Sequence, residues 1–185
     1  MQPKINESLN QLLLVSGEKY LVEHAGGHDR LVIGVAVFHP LRKEPSVLIV
    51  QRAAHESFLP NVWELPGGHV ESSDNTIIDA IVRETSEETG LVVTHVVGRF
   101  SDFVYTVPSQ GETVRSTLQL NVAVLIHGIE GKDPDVKLNP DEHQKYAWIA
   151  ESDLADYEMT DGMGKVVSNA LEWGRENTHE LILVT

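Results

Sequence analysis

The chain has 185 residues, a length that suits one domain with a sizeable core, and 41% hydrophobic with 23% charged residues excludes general disorder. Twenty-eight Asp and Glu against 14 Lys and Arg leave a net charge of −14, which argues against a basic face for gripping long nucleic acid or an anionic membrane. Cys is absent, which removes disulfides, thiolate metal sites and cysteine nucleophiles together. The first ten residues lack a basic start followed by an apolar run. The longest apolar runs, 31–38 and 122–126, are far short of the roughly 20 residues of a membrane helix. The expectation is a soluble, cytoplasmic protein with no membrane partner.

In chain order, segment 9–22 reads either as a short helix or as a strand broken at Gly17. Segment 30–38 is rich in β-branched residues and reads as a strand stopped by His39-Pro40, and 46–52 is a second strand. Residues 53–61 form a loop, and 62–65 a short strand ended by Pro66-Gly67-Gly68. From 76 to 89, Ile77, Ile78, Ile81, Val82 and Thr85 recur at steps of three and four, which predicts a helix. Asp74, Asn75 or Thr76 can cap its start, and Gly90 suits its end. Two strands, 91–97 and 101–107, follow with a turn near Gly98; 108–115 is a turn and 116–129 a long strand. The acidic stretch 130–143 is an exposed loop, 145–149 a last strand, and 159–173 a second helix. This order predicts an α+β or mixed-sheet α/β fold rather than a regular βαβ repeat.

The informative stretch is 66–91. Glu84 lies three residues before Glu87 and four before Glu88, so the three carboxylates share a helix face. Like charges at this spacing cost a helix a few tenths of a kcal/mol. A cation among them removes that cost, and hard carboxylate oxygens suit Mg²⁺ or Mn²⁺. Arg83, four residues before Glu87, can orient it by a charge-assisted hydrogen bond. The plainer reading is a solvated acidic face. The Gly-Gly turn before the helix favours a site, because glycine lets backbone approach a ligand closely.

This pattern resembles the Nudix hydrolase box: Gly, five residues, Glu, seven residues, Arg-Glu, an apolar residue, any, Glu-Glu, any, Gly, apolar. Gly68 opens it, and Arg83-Glu84-Thr85-Ser86-Glu87-Glu88-Thr89-Gly90-Leu91 closes it. Three positions depart from it. Asp74 stands at the first Glu, eight residues (75–82) rather than seven precede Arg83, and Thr85 replaces an apolar residue. The resemblance continues through Val47–Arg52, Val62–Gly68 and Tyr146–Ile149, over about residues 30–173, leaving 1–29 and 175–185 peripheral.

The resemblance implies a single domain with an α/β/α sandwich, a mixed curved sheet, one box helix and one C-terminal helix. It implies a metal-dependent hydrolase that splits the diphosphate of a nucleoside diphosphate derivative with Mg²⁺ or Mn²⁺. Glu84, Glu87 and Glu88 would hold metal, joined by the Gly67 carbonyl. Glu142, just before the last strand, is the candidate for an outside carboxylate, whether ligand or base, with Asp141 and Glu112 behind it. Arg83, Glu84, Glu87 and Glu142 form the expected catalytic set. Arg52 is the candidate for a substrate phosphate. Phe58 and Tyr105 are candidates for stacking on a base, while Trp63 and Phe103 read more readily as core. His69 is a further candidate ligand to metal or phosphate. The expected partner is a small nucleotide, with homodimerisation common in the family. Members cleave oxidised dNTPs, ADP-ribose, dinucleoside polyphosphates, coenzyme A or capped RNA, and no further motif here selects among them. Two alternatives remain: a nucleotide-binding or regulatory module with altered catalysis, and an isoprenoid diphosphate isomerase. The second relies on a cysteine that this chain lacks.

Overall fold

The structure, a computed structural model, describes residues 2–108, 114–128 and 132–182. In chain order the elements are β1 (Lys4–Ile5), α1 (Asn10–Leu13), α2 (Gly17–His24), β2 (Arg30–Phe38), β3 (Val47–Arg52), β4 (Trp63–Glu64), α3 (Ile77–Thr89), β5 (Val93–Pro108), β6 (Val114–Ile126), β7 (His143–Ile149), α4 (Asp161–Glu176) and α5 (Thr178–Leu181). The seven strands run in the order β1-β5-β6-β2-β3-β4, with β7 paired to β3. β1 lies parallel to β5 and β2 parallel to β6, while the other pairings are antiparallel. The sheet is thus mixed and open, and register shifts along β5 bend it.

Alternation along β2 sends Leu31, Ile33, Val35 and Val37 to one face and Ala36 and Phe38 to the other. Leu13, Tyr20, Ile77 and Ile81 of α1–α3 cover the first face. Val166, Val167, Ala170 and Leu171 of α4 cover the second. This is the α/β/α layering that the resemblance implies. Ile77 and Ile81 are fully buried, and each such side chain contributes about 1.5–3 kcal/mol of apolar burial.

The box helix α3 has local causes at both ends. Thr76 caps it: its Oγ1 accepts from Asp79 N at 3.2 Å, and Asp79 Oδ2 accepts from Thr76 N at 3.0 Å. Gly90 ends it with φ 68°, a left-handed turn that glycine adopts without strain. Thr85, the polar residue at an apolar box position, is fully buried, and its hydroxyl donates to Ile81 O at 2.7 Å. That bond satisfies the one polar atom the substitution brings into the core.

Three expectations change. Residues 93–108 form one strand rather than two with a turn at Gly98. Gly98 serves close packing instead, since a Cβ there would run into the Trp173 ring. The N-terminal residues expected at the periphery enter the core: segment 9–22 takes the helical alternative as two short helices separated by residues 14–16, Leu9, Leu13 and Tyr20 are all buried, and Lys4–Ile5 extends the sheet. The last strand begins at His143, two residues earlier than the sequence suggests. Much of the 108–115 turn, part of the acidic loop and residues 183–185 lie outside the described residues. Among the described residues, no helix is long and apolar enough to cross a membrane.

Candidate active site

The Gly-Gly turn is held against β2. Ile33 N donates to Gly68 O at 2.9 Å and Val35 N to Pro66 O at 2.8 Å, while Val70 N donates to Leu31 O at 3.1 Å. The Gly67 carbonyl, between those two acceptors, takes no hydrogen bond among the described residues. A Cβ at Gly67 (φ 148°) would run into Ile33 O, and one at Gly68 would stand 2.5 Å from Glu84 Oε1. Both glycines are therefore required by close approach: Gly67 to a strand, Gly68 to a site carboxylate.

α3 presents its acids to this turn unequally. Glu88 is 4% exposed, and Gly67 N donates to its Oε2 at 2.9 Å. Burial pushes its carboxyl well above the ordinary range, the Gly67 amide opposes that, and the charges of Glu84, Glu64 and Glu142 add to it. Glu84 is buried too; burial also raises it, against Arg83, with Glu87 and Glu142 reinforcing the rise. The Glu87 side chain is 58% exposed and stands on the rim, 3.2 Å from Arg83 Nη1.

Arg83 organises this helix face more widely than its expected contact with Glu87. Its Nε and Nη2 donate to both oxygens of Asp74 at 3.1 and 2.9 Å, and Nη2 also reaches His69 O at 3.0 Å. Nη1 lies 2.9 Å from Glu84 Oε1. Asp74 is buried and accepts from Glu71 N at 2.8 Å. The Asp at the first acidic box position thus pairs with Arg83, and the extra residue lies in the segment between this pair's two ends.

Across the sheet, Glu64 of β4 accepts from Arg52 Nη1 at 2.9 Å and faces His143 Nε2 at 3.4 Å. Arg52 also donates to Phe58 O at 2.8 Å and Glu56 Oε2 at 3.2 Å, so its guanidinium is engaged on three sides. Glu142, exposed before β7, brings a carboxylate oxygen within 4.8 Å of ligand atoms of Glu88 and His143. Asp141 is exposed and outside that group, and Glu112 lies outside the described residues.

Arg52 and Glu64 line a cleft of about 650 Å³, and the box acids lie behind its Gly67-Gly68 wall rather than in its lining. Phe58, Gly67, Gly68, His69, Phe103, Tyr105 and Gln119 also line it. Phe103 and Tyr105 stack with ring centroids 5.7 Å apart. Trp63 lines the cleft while packing edge-on to Tyr157 at 4.9 Å, so it is both wall and core. The start of α4, Asp161 to Met163, closes the far side, tied there by Trp63 N to Glu158 O at 2.9 Å. Sequence reasoning missed Glu64, His143, Gln119 and the α4 start. Glu64 and His143 each adjoin a motif the sequence displays, whereas Gln119 and Asp161–Met163 carry no local signal.

The donor set suits a hard divalent cation. Two buried carboxylates face two others, with one Arg shared at the edge and one backbone N–H among them. Crowding buried carboxyls makes each harder to ionise, and a bound cation offsets that cost.

The chain is similar to known proteins. The chain is 30% identical to nucleoside triphosphatase NudI of Escherichia coli O139:H28 over 122 residues, 64% of this chain and 83% of that protein. It is 46% identical over 59 residues to the m7GpppN-mRNA hydrolase NUDT17 of Danio rerio, a match that covers 32% of this chain and only 19% of that protein. The NUDIX domain of Shewanella oneidensis NrtR, solved with ADP ribose, superposes with a TM-score of 0.60 at 16% identity, covering 86% of this chain and 99% of that one. The family model described as NUDIX domain matches residues 30–170, which span the turn, the box helix, the cleft and most of α4. With that match and the turn-and-helix geometry together, the chain belongs to the NUDIX family.

Proposed function

We propose that this NUDIX-family pyrophosphohydrolase cleaves the diphosphate linkage of a nucleoside diphosphate derivative, with Mg²⁺ or Mn²⁺ held by Glu84, Glu87, Glu88, Glu142 and the Gly67 carbonyl. One observation carries the reading: the carboxyls of Glu84 and Glu88 are buried, crowded by Glu64 and Glu142, and held against the Gly67-Gly68 turn that lines the 650 Å³ cleft. The metal, when bound, neutralises phosphate charge, orients the attacked phosphorus and makes a bound water more acidic. Such a site also answers the chain's charge of −14, because a small polyanion then meets a cationic centre rather than bare acids.

The chain's own residues do the rest. Gly67 N–H fixes Glu88, and Arg83 fixes Glu84. Glu142, exposed beside Glu88, is the proton acceptor for the attacking water. Water adds to phosphorus, its proton passes to the carboxylate, and the bridging oxygen leaves with the second phosphate. Phe58, Phe103 and Tyr105 hold the nucleoside, and Arg52 keeps Glu64 in place while lining the phosphate path. The nucleoside triphosphatase similarity adds nucleoside triphosphates to the substrate classes. The lengthened box leaves Asp74 and Arg83 paired and Glu84 and Glu88 against the glycine turn, which favours an active enzyme over a module with altered catalysis. The absence of cysteine suits a cytoplasmic setting.

The test is hydrolysis of a nucleotide panel by the pure protein with Mg²⁺ or Mn²⁺, followed as nucleoside monophosphate or phosphate release. The expected result is metal-dependent cleavage of at least one member, abolished in Glu88→Gln. Absence of metal-dependent cleavage across nucleoside triphosphates, ADP-ribose and dinucleoside polyphosphates overturns the reading.

A further inference from the structure

His143 is 2% exposed, and its ligand atom lies within 4.8 Å of carboxylate oxygens of Glu88 and Glu142. Nothing in the carboxylate chemistry of the box calls for an imidazole there. The ring has two different nitrogens. Nε2 meets Glu64 Oε1 at 3.4 Å, while Nδ1 is buried and has no hydrogen-bond partner among the described residues. A buried ring nitrogen without a partner is costly in a native fold, and it calls for a group the protein chain does not supply. Glu64 is itself anchored by Arg52 Nη1 at 2.9 Å, so it is a fixed acceptor. A His that donates one N–H to a carboxylate while its other nitrogen keeps a lone pair has the arrangement of a metal ligand.

We propose that His143 is a nitrogen donor in the carboxylate site, so that the site prefers imidazole-accepting transition-metal ions such as Mn²⁺ over Mg²⁺. The inference rests on the metal-dependent reading above and sharpens it. Mg²⁺ favours an all-oxygen octahedron and dehydrates reluctantly, so an imidazole in place of an oxygen ligand penalises it. Mn²⁺ and the later first-row ions accept imidazole more readily.

The test uses Mn²⁺ and Mg²⁺ alone, without substrate. Electron spin-echo modulation of Mn²⁺ bound to the full chain is expected to show coupling to an imidazole nitrogen. Labelling the protein with ¹⁵N-histidine changes that modulation. In His143→Gln the coupling disappears, Mn²⁺ affinity falls by about tenfold or more, and the Mn²⁺ to Mg²⁺ affinity ratio collapses. The labelled wild-type protein reports a histidine nitrogen whatever the variant's folding, and loss of coupling in a folded His143→Gln assigns it to this residue. Saturable Mn²⁺ binding without nitrogen coupling overturns the role of His143 and leaves the carboxylate site standing. Coupling that persists in His143→Gln assigns the nitrogen to another residue and likewise overturns it. Absence of saturable Mn²⁺ binding overturns this inference and the metal-dependent reading together.

Discussion

Gly67 N–H donates a 2.9 Å hydrogen bond to Glu88 Oε2, across 21 residues of chain. This bond joins the glycine turn to the box helix, and it is the one backbone donor given to the most buried acid of the site. It holds the Glu88 carboxyl in a dry position where a bound cation would favour its charged form.

Glu88→Gln keeps an acceptor for Gly67 and removes the buried charge. In metal-free buffer the variant is expected to be more stable than the wild type, by about 1 kcal/mol or more. Its Mg²⁺-dependent activity is expected to fall by about a hundredfold or more. Denaturant titration in EDTA, set beside the hydrolysis assay, measures both. A variant that is less stable and fully active contradicts the placement of Glu88.

Divalent ions are expected to stabilise the wild type and not Glu88→Gln. At a hundred times its dissociation constant, an ion that binds only the folded state adds about 2.7 kcal/mol. Thermal melts with Mg²⁺ or Mn²⁺, reversed by chelator, report this without any substrate.

The two turn glycines should fail differently. Gly68→Ala brings a Cβ to 2.5 Å from Glu84 Oε1, and a side chain can swing away, so activity falls more than stability. Gly67→Ala meets the backbone carbonyl of Ile33 at a positive φ, and is expected to cost about 1–3 kcal/mol or more. Melting temperatures and rates of the two variants, compared side by side, separate these effects. Equal loss of stability in both would contradict the distinction.

Asp74→Asn should weaken the fold in a pH-dependent way. Burial alone raises the Asp74 carboxyl, but hydrogen bonds from Arg83 and Glu71 N outweigh it and hold it below the ordinary range. A lowered folded pKa contributes stability that is fully present above the unfolded value and lost as pH falls. The difference between wild type and Asp74→Asn should therefore be about 2 kcal/mol at neutral pH and shrink from about pH 4 downward. Urea titrations at pH 7 and below pH 4 check the sign.

Phe58 lines the cleft with 57% of its surface exposed. Phe58→Ala is expected to leave stability unchanged and raise KM about tenfold with little change in kcat, since stacking on a base contributes about 1–3 kcal/mol. An unchanged KM places the base elsewhere in the cleft.

Local signals are legible in the sequence. Apolar steps of three and four mark α3, Thr76 and Gly90 bound it, and β-branched runs mark β2 and β3. The spacing of Glu84, Glu87 and Glu88 puts three acids on one helix, and the box carries the family. These follow from periodicity, capping and turn chemistry, each settled within a few residues. Which acid is buried is not settled that way. Glu87 and Glu88 are neighbours in sequence, yet Gly67 and the sheet bury one and leave the other on the rim. The partners of Arg52, the Asp74–Arg83 pair, the closure of the cleft by α4 and the arrival of His143 beside Glu88 all join distant segments. Burial and charge depend on what packs against a residue, and only the folded sheet determines that. The chain's length, charge and box therefore specify a NUDIX hydrolase fold, and tertiary packing decides which of its many acids face a ligand.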